Sequence, residues 1–137
     1  MNWTTFQQEI ELLSRNIDLK FDMIVGITRG GVVPARMLSS LLNIPKMACI
    51  SVEKQEGGRK VITEILEDLT GKTILLVEDM LETGRSLMMA KNYLESKGAQ
   101  VKTACLYTMA MSEIKPDYFL KEVEGVTEFP WEGLENK

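Results

Sequence analysis

Three features of the 137-residue chain predict an α/β fold on a mostly parallel sheet flanked by helices. A short apolar run at 23–27, a continuous apolar run at 73–77 typical of a strand covered on both faces, and a further strand-like segment at 101–107 read as buried strands. Segments with helical spacing stand between them, which is the order of a parallel α/β sheet. Two polar turns, 28–31 and 78–86, join the end of an apolar run to the start of a helix. In such sheets ligands bind at the carboxyl ends of strands. The length suits one domain, residues 1–137, with one core.

The elements follow in order. Phe6, Ile10, Leu13 and Ile17 form one stripe of a helix over 4–18, with Thr5 and Gln8 spaced as a capping box. The strand 23–27 leads through Thr28-Arg29-Gly30-Gly31 into a helix that carries Pro34 in its first turn and closes at Asn43 and Pro45. Residues 46–52 read as a second strand. The polar stretch 53–60, with Gly57-Gly58, reads as a mobile loop, and 61–66 as an arm of a hairpin. The strand 73–77 is followed by a helix over 86–97 that Gly98 ends, and 101–107 is another buried strand. The last 30 residues read as irregular, with short strand-like pieces.

Composition excludes several chemistries. The chain has no histidine, so His-based acid–base catalysis, Ser-His-Asp triads and His-ligated zinc are out of reach. Cys49 and Cys105 lie in apolar runs far apart and read as small buried hydrophobes rather than a redox pair. Net charge is −4, and the acidic excess falls after residue 111. No basic face points to nucleic acid, and no apolar stretch approaches the length of a membrane span. An intracellular, cytoplasmic protein is expected.

Two loops are suited to anions. Thr83, Gly84, Arg85 and Ser86 offer N–H groups and hydroxyls at a helix N-terminus, where unpaired donors and the helix dipole favour phosphate. Glu78, Asp79 and Glu82 beside them would repel a bare phosphate. They fit a ligand that also presents sugar hydroxyls or brings Mg²⁺, or else they are solvated loop carboxylates. Thr28-Arg29-Gly30-Gly31 supplies successive N–H groups and a guanidinium. Two such loops on one sheet edge point to a ligand with phosphates at both ends. Gly71-Lys72-Thr73 is no P-loop: Leu66 stands at the required first glycine and a strand follows.

ILLVEDMLETGRS (74–86) resembles the phosphoribosyl-pyrophosphate (PRPP) motif of type I phosphoribosyltransferases. GITRGGVVPA (26–35) resembles the pyrophosphate loop of the hypoxanthine/xanthine-guanine branch, and KPDYF (115–119) with FPWE (129–132) resembles its short C-terminal hood. The resemblance implies a type I phosphoribosyltransferase fold, with a core of about 1–108 and a hood of about 109–137. It implies transfer of a 5-phosphoribosyl group from PRPP to a nucleobase, with Mg²⁺ as cofactor and a homodimer as the common assembly. By position, Glu78 and Asp79 would face the ribose hydroxyls, and Asp79, Glu78 and Glu132 would lie at the metal. Glu82 would act on the base proton as the catalytic residue. Residues Glu82, Thr83, Gly84, Arg85 and Ser86 would wrap the 5′-phosphate, and Thr28, Arg29, Gly30 and Gly31 would hold pyrophosphate across a cis Thr28–Arg29 peptide. Residues 53–66 match the loop that closes over the reacting centre.

The base site departs from that branch. Met109 stands where the branch has a lysine for the 6-oxo group, and Val126 where it has a stacking aromatic. Three readings stay open: a base other than a standard 6-oxopurine, substitution by Lys115 or Phe129, or a PRPP- or nucleotide-binding regulator whose transferase activity has faded.

Overall fold

The computed structural model describes residues 1–134; the last three positions of the expected hood lie outside the described residues. The elements are α1 (Trp3–Arg15), β1 (Met23–Ile27), α2 (Val32–Leu41), β2 (Met47–Ile50), β3 (Val52–Gln55), β4 (Gly58–Val61), β5 (Thr73–Val77), β6 (Met80–Leu81), α3 (Arg85–Ser96), β7 (Gln100–Thr108) and β8 (Tyr118–Glu122). The main sheet runs β2-β1-β5-β7, with β6 and β8 both paired to β7. Every one of its pairings is parallel. β3 and β4 form a separate antiparallel pair.

The apolar runs become central strands because both of their faces are covered. Met23, Val25 and Ile27 of β1, with Ile74 and Leu76 of β5, pack with Leu87, Ala90 and Leu94 of α3. The alternate residues Ile24, Leu75 and Val77 pack with Phe6, Ile10 and Leu13 of α1 and Ala35 and Leu38 of α2. With side chains alternating across the strand, two helical layers require an unbroken apolar run.

Four expectations are corrected. Asn2, not Thr5, caps α1: its Oδ1 accepts the Thr5 N–H at 2.8 Å, and the helix ends at Arg15, before Ile17. The predicted strand 46–52 is two strands, broken at Ser51. Residues 53–60 are not a loop but most of the β3–β4 hairpin, closed by Gly57 in the left-handed region (φ 86°). Of the expected arm at 61–66, only Val61 is in a strand.

The segment after β7 drops alongside α3, returns as β8, and then crosses back toward α1. There Phe129 (1% exposed) is stacked on Tyr107 and Trp131, with centroids 5.9 and 5.0 Å away, and meets Phe6 edge-on. This cluster fixes the hood against the α1 layer.

A candidate phosphoribosyl site

Both anion loops lie at the carboxyl edge of the sheet because β1 and β5 are parallel neighbours, with Gly26 opposite Val77. The first loop leaves β1 through a cis Thr28–Arg29 peptide. Gly31 donates to Ile27 O at 2.8 Å and Thr28 to Ile50 O at 2.9 Å. Among the described residues, the Arg29 and Gly30 N–H groups have no acceptor within the chain and are available to an anion.

The second loop leaves β5 through Glu78 and Asp79, makes the short strand β6, and enters α3 through Gly84. Gly84 is required for two reasons within the chain itself. Its φ is 77°, and a Cβ there would come within 2.6 Å of the Ser112 and Ile114 side chains. The Glu113 N–H donates to Thr83 O at 2.8 Å, so the segment after β7 backs the 82–86 turn.

The loops meet at Asp79. A Cβ on Gly30 would lie 2.2 Å from Asp79 Oδ2, so the carboxylate rests against the glycine backbone. Asp79 Oδ1 accepts the Met80 N–H at 2.7 Å. Arg29, Gly30, Glu78, Asp79, Trp131 and Glu132 line one cleft of about 410 Å³. A second cleft, of about 290 Å³, is lined by the residues of the 82–86 turn together with Glu78 and Arg59.

The structure thus gathers Arg29, Gly30, Glu78, Asp79 and Glu132 in one cleft and Glu82, Thr83, Gly84, Arg85 and Ser86 in the other. Thr28 faces away from both, toward Ser51, and Gly31 closes the loop from behind. The Arg85 guanidinium turns outward to Glu113, with Nη2 to Oε1 at 3.1 Å, leaving its backbone at the turn. Met109 lies beside Glu82: Leu81 is in register with Thr108, and the Met109 N–H donates to Leu81 O at 2.9 Å. Val126 is 68% exposed, one residue before Thr127, whose N–H points at Met80 Sδ. Phe129 is in the core, away from both clefts.

Sequence reasoning missed two site residues. Arg59 reaches from β4 to donate to Ser86 Oγ at 3.2 Å, which brings a cation to the 82–86 turn. Trp131 packs on Phe129 and also forms a wall of the first cleft. Strand pairing across the hairpin puts Arg59 there, and no local pattern carries that information.

The carboxylates are crowded. Burial, then the charge of Asp79, pushes Glu78 well above the usual carboxylate range. Burial, with Glu132 nearby, raises Asp79. Raised carboxylates stabilise the fold below their unfolded pKa values of about 4, and that contribution is lost as pH rises through the folded values. Glu78→Gln removes one such group, so it is expected to raise Tm at pH 8 by about 4 °C, the size of roughly 1 kcal/mol. The gain should disappear at pH 4, and thermal melts across this range check it. A gain that is equal at both pH values would show that charge burial is not the cause.

This donor set fits Mg²⁺. The ion takes oxygen ligands and is usually held by one or two carboxylates plus the substrate's own oxygens. Among the described residues no group of three or more His, Cys, Asp or Glu side chains converges on one point, so the substrate would complete the shell. A cation would also offset the charge of Glu132, which adds to burial in raising Asp79.

The phosphoribosyl transferase domain pattern matches residues 4–133. The chain is 32% identical over 118 residues to a hypoxanthine-guanine phosphoribosyltransferase of Lactococcus lactis, covering 79% of this chain and 64% of that protein. It is 40% identical over 87 residues to an orotate phosphoribosyltransferase of Sulfurisphaera tokodaii, covering 64% of this chain and 42% of that one. It therefore spans less than two thirds of the length of these curated relatives. A purine phosphoribosyltransferase from Pyrococcus horikoshii Ot3 superposes with a TM-score of 0.90 at 30% identity, covering 96% of this chain and 92% of that one. Two loops that meet at an acid pair, on a sheet that superposes this closely, place the chain in the phosphoribosyl transferase domain family.

Proposed function

We propose that this chain transfers the 5-phosphoribosyl group of PRPP to a purine base, forming a nucleoside 5′-monophosphate and releasing pyrophosphate. The observation that carries the reading is the contact of Asp79 with Gly30. It sets acids for sugar hydroxyls against donors for pyrophosphate, with the phosphate turn one short strand away.

In this reading the bond from ribose C1 to pyrophosphate breaks, positive charge builds on the ring, and a base nitrogen closes the new bond. The chain needs no nucleophile of its own, consistent with the absence of histidine. Arg29, with the Arg29 and Gly30 N–H groups, stabilises the departing pyrophosphate. Glu78 and Asp79 orient the ribose hydroxyls, and the 82–86 turn anchors the 5′-phosphate, so binding energy is spent on position. Glu82 holds the base proton. Asp79, Glu78 and Glu132, which line the first cleft, would hold Mg²⁺, and the ion would supply neutralisation of the charge on the pyrophosphate.

The base would be seated against β6 and the segment after β7: Met109 follows Thr108, the register partner of Leu81, and Val126 precedes Thr127, whose N–H points at Met80 Sδ. The test is pyrophosphate release from PRPP and Mg²⁺ with guanine, hypoxanthine, xanthine and adenine in turn. Turnover with one of them is expected; none with any would reject the purine assignment. Met109→Lys restores a donor beside Glu82, and a site that hydrogen-bonds an oxo group discriminates strongly for it. It is expected to raise kcat/KM for hypoxanthine or guanine by about tenfold, the size of one added hydrogen bond to a charged donor. An unchanged value would place the base elsewhere. Met109 and exposed Val126 favour a second reading, a PRPP-binding regulator. Calorimetry would then show Mg²⁺-dependent binding of PRPP without turnover.

A further inference from the structure

Ser51 interrupts what would otherwise be one strand between β2 and β3, and each of its polar groups is committed. Its N–H donates to Thr63 Oγ1 at 2.9 Å, and its carbonyl accepts the Ile62 N–H at 3.0 Å. Both partners lie on the chain returning from the hairpin. Its hydroxyl pairs with the Thr28 hydroxyl at 2.6 Å. Thr28 opens the pyrophosphate loop, and its own N–H is fixed to Ile50, the residue before Ser51.

Ser51 is therefore the point where both strands of the hairpin stem and the first anion loop join. Beyond this stem the hairpin is largely exposed, and Arg59 is its hydrogen bond to the phosphate loop, at Ser86. The paired hairpin strands run from Ser51 to Arg59, so the stem and the Ser86 contact are the two ends of one element. The hydroxyl pair, at an ordinary hydrogen-bond distance, ties the two segments side chain to side chain, so a shift of Thr28 draws on Ser51.

We infer that Ser51 is a positioning residue, coupling the pyrophosphate loop to the β3–β4 hairpin so that an anion seated at 28–31 sets how the hairpin stands over the phosphate turn. The coupling rests on the phosphoribosyl-transfer reading only for the identity of the anion. A side chain that merely packed at this point would stabilise the fold without linking the two segments.

The test is hydrogen–deuterium exchange of the whole chain with and without sodium pyrophosphate and Mg²⁺. In the native chain, pyrophosphate is expected to slow exchange at 28–31 and at 52–63 together. In Ser51→Ala it is expected to slow 28–31 alone, and KM for PRPP to rise about fivefold, the size of one lost hydrogen bond, with KM for the base unchanged. Ser51→Thr keeps the hydroxyl and should restore the joint response. Thr63→Val, which breaks the stem from its other side, should uncouple the hairpin as Ser51→Ala does and covers the case in which that variant fails to fold. Joint protection surviving in Ser51→Ala or Thr63→Val would overturn the inference. Protection of 28–31 without 52–63 in the native chain would overturn it too, while leaving the function standing. Protection of neither segment would remove both.

Discussion

Asp79→Asn is expected to lower kcat/KM for PRPP by roughly a hundredfold or more while leaving the melting temperature at neutral pH unchanged or higher. The asymmetry follows from the contacts of this carboxylate. Asp79 Oδ1 accepts the Met80 N–H, and an amide oxygen can do the same. The other oxygen rests on Gly30, and an amide NH₂ fills that space equally well. Folding gains nothing from the charge, because burial and Glu132 already disfavour it. In the proposed reaction, substrate use depends on it. A carboxylate that accepts from a ribose hydroxyl and faces a cation makes charge-assisted bonds, and losing about 3 kcal/mol of transition-state stabilisation corresponds to roughly a hundredfold. Steady-state kinetics with varied PRPP, beside thermal melts, separate the two effects. Kinetics like those of the native chain would move the ribose site away from Asp79. A collapse of stability alongside the activity would make the residue structural.

The sheet could be read from sequence wherever burial alone decided the pattern. β1 and β5 are apolar without a break because α3 covers one face and α1 with α2 the other. The loops at their ends could be read because a strand-to-helix turn built on successive backbone donors and glycine leaves a short local signature. The β3–β4 hairpin could not: its residues are mostly exposed, so neither a period of two nor an apolar run marks it. Arg59 and Trp131 belong to the site only through pairings of distant segments. Phe129 shows the same limit from the other side. Its aromatic character suits a base or a core, and it is Phe6, more than a hundred residues away, that draws it into the core. Gly84 was legible as a glycine-requiring position, but part of the crowding there is with Ser112 and Ile114 of the hood.

Gly31→Ala is expected to be the most destabilising single methyl at this site. Gly31 sits at the N-cap of α2 with an ordinary φ of −79°, so backbone preference does not forbid alanine. Space does. The added Cβ would lie 2.3 Å from Val77 O and 2.8 Å from Ile27 O. Both are main-chain atoms at the ends of paired central strands, and neither can turn aside as a flexible side chain would. Relief requires the first loop to move off β5, where Gly26 pairs with Val77, and such overpacking costs about 1–3 kcal/mol or more. For a domain of this size that corresponds to a fall in Tm of roughly 10 °C. The same movement separates Gly30 from Asp79, so PRPP binding should weaken with it. Gly125→Ala, where an added Cβ meets nothing within 4 Å, is the matched control and should melt like the native chain. If Gly31→Ala melts with this control yet loses PRPP binding, the glycine is there for the ligand; if it loses stability first, it is there to bring the two loops together.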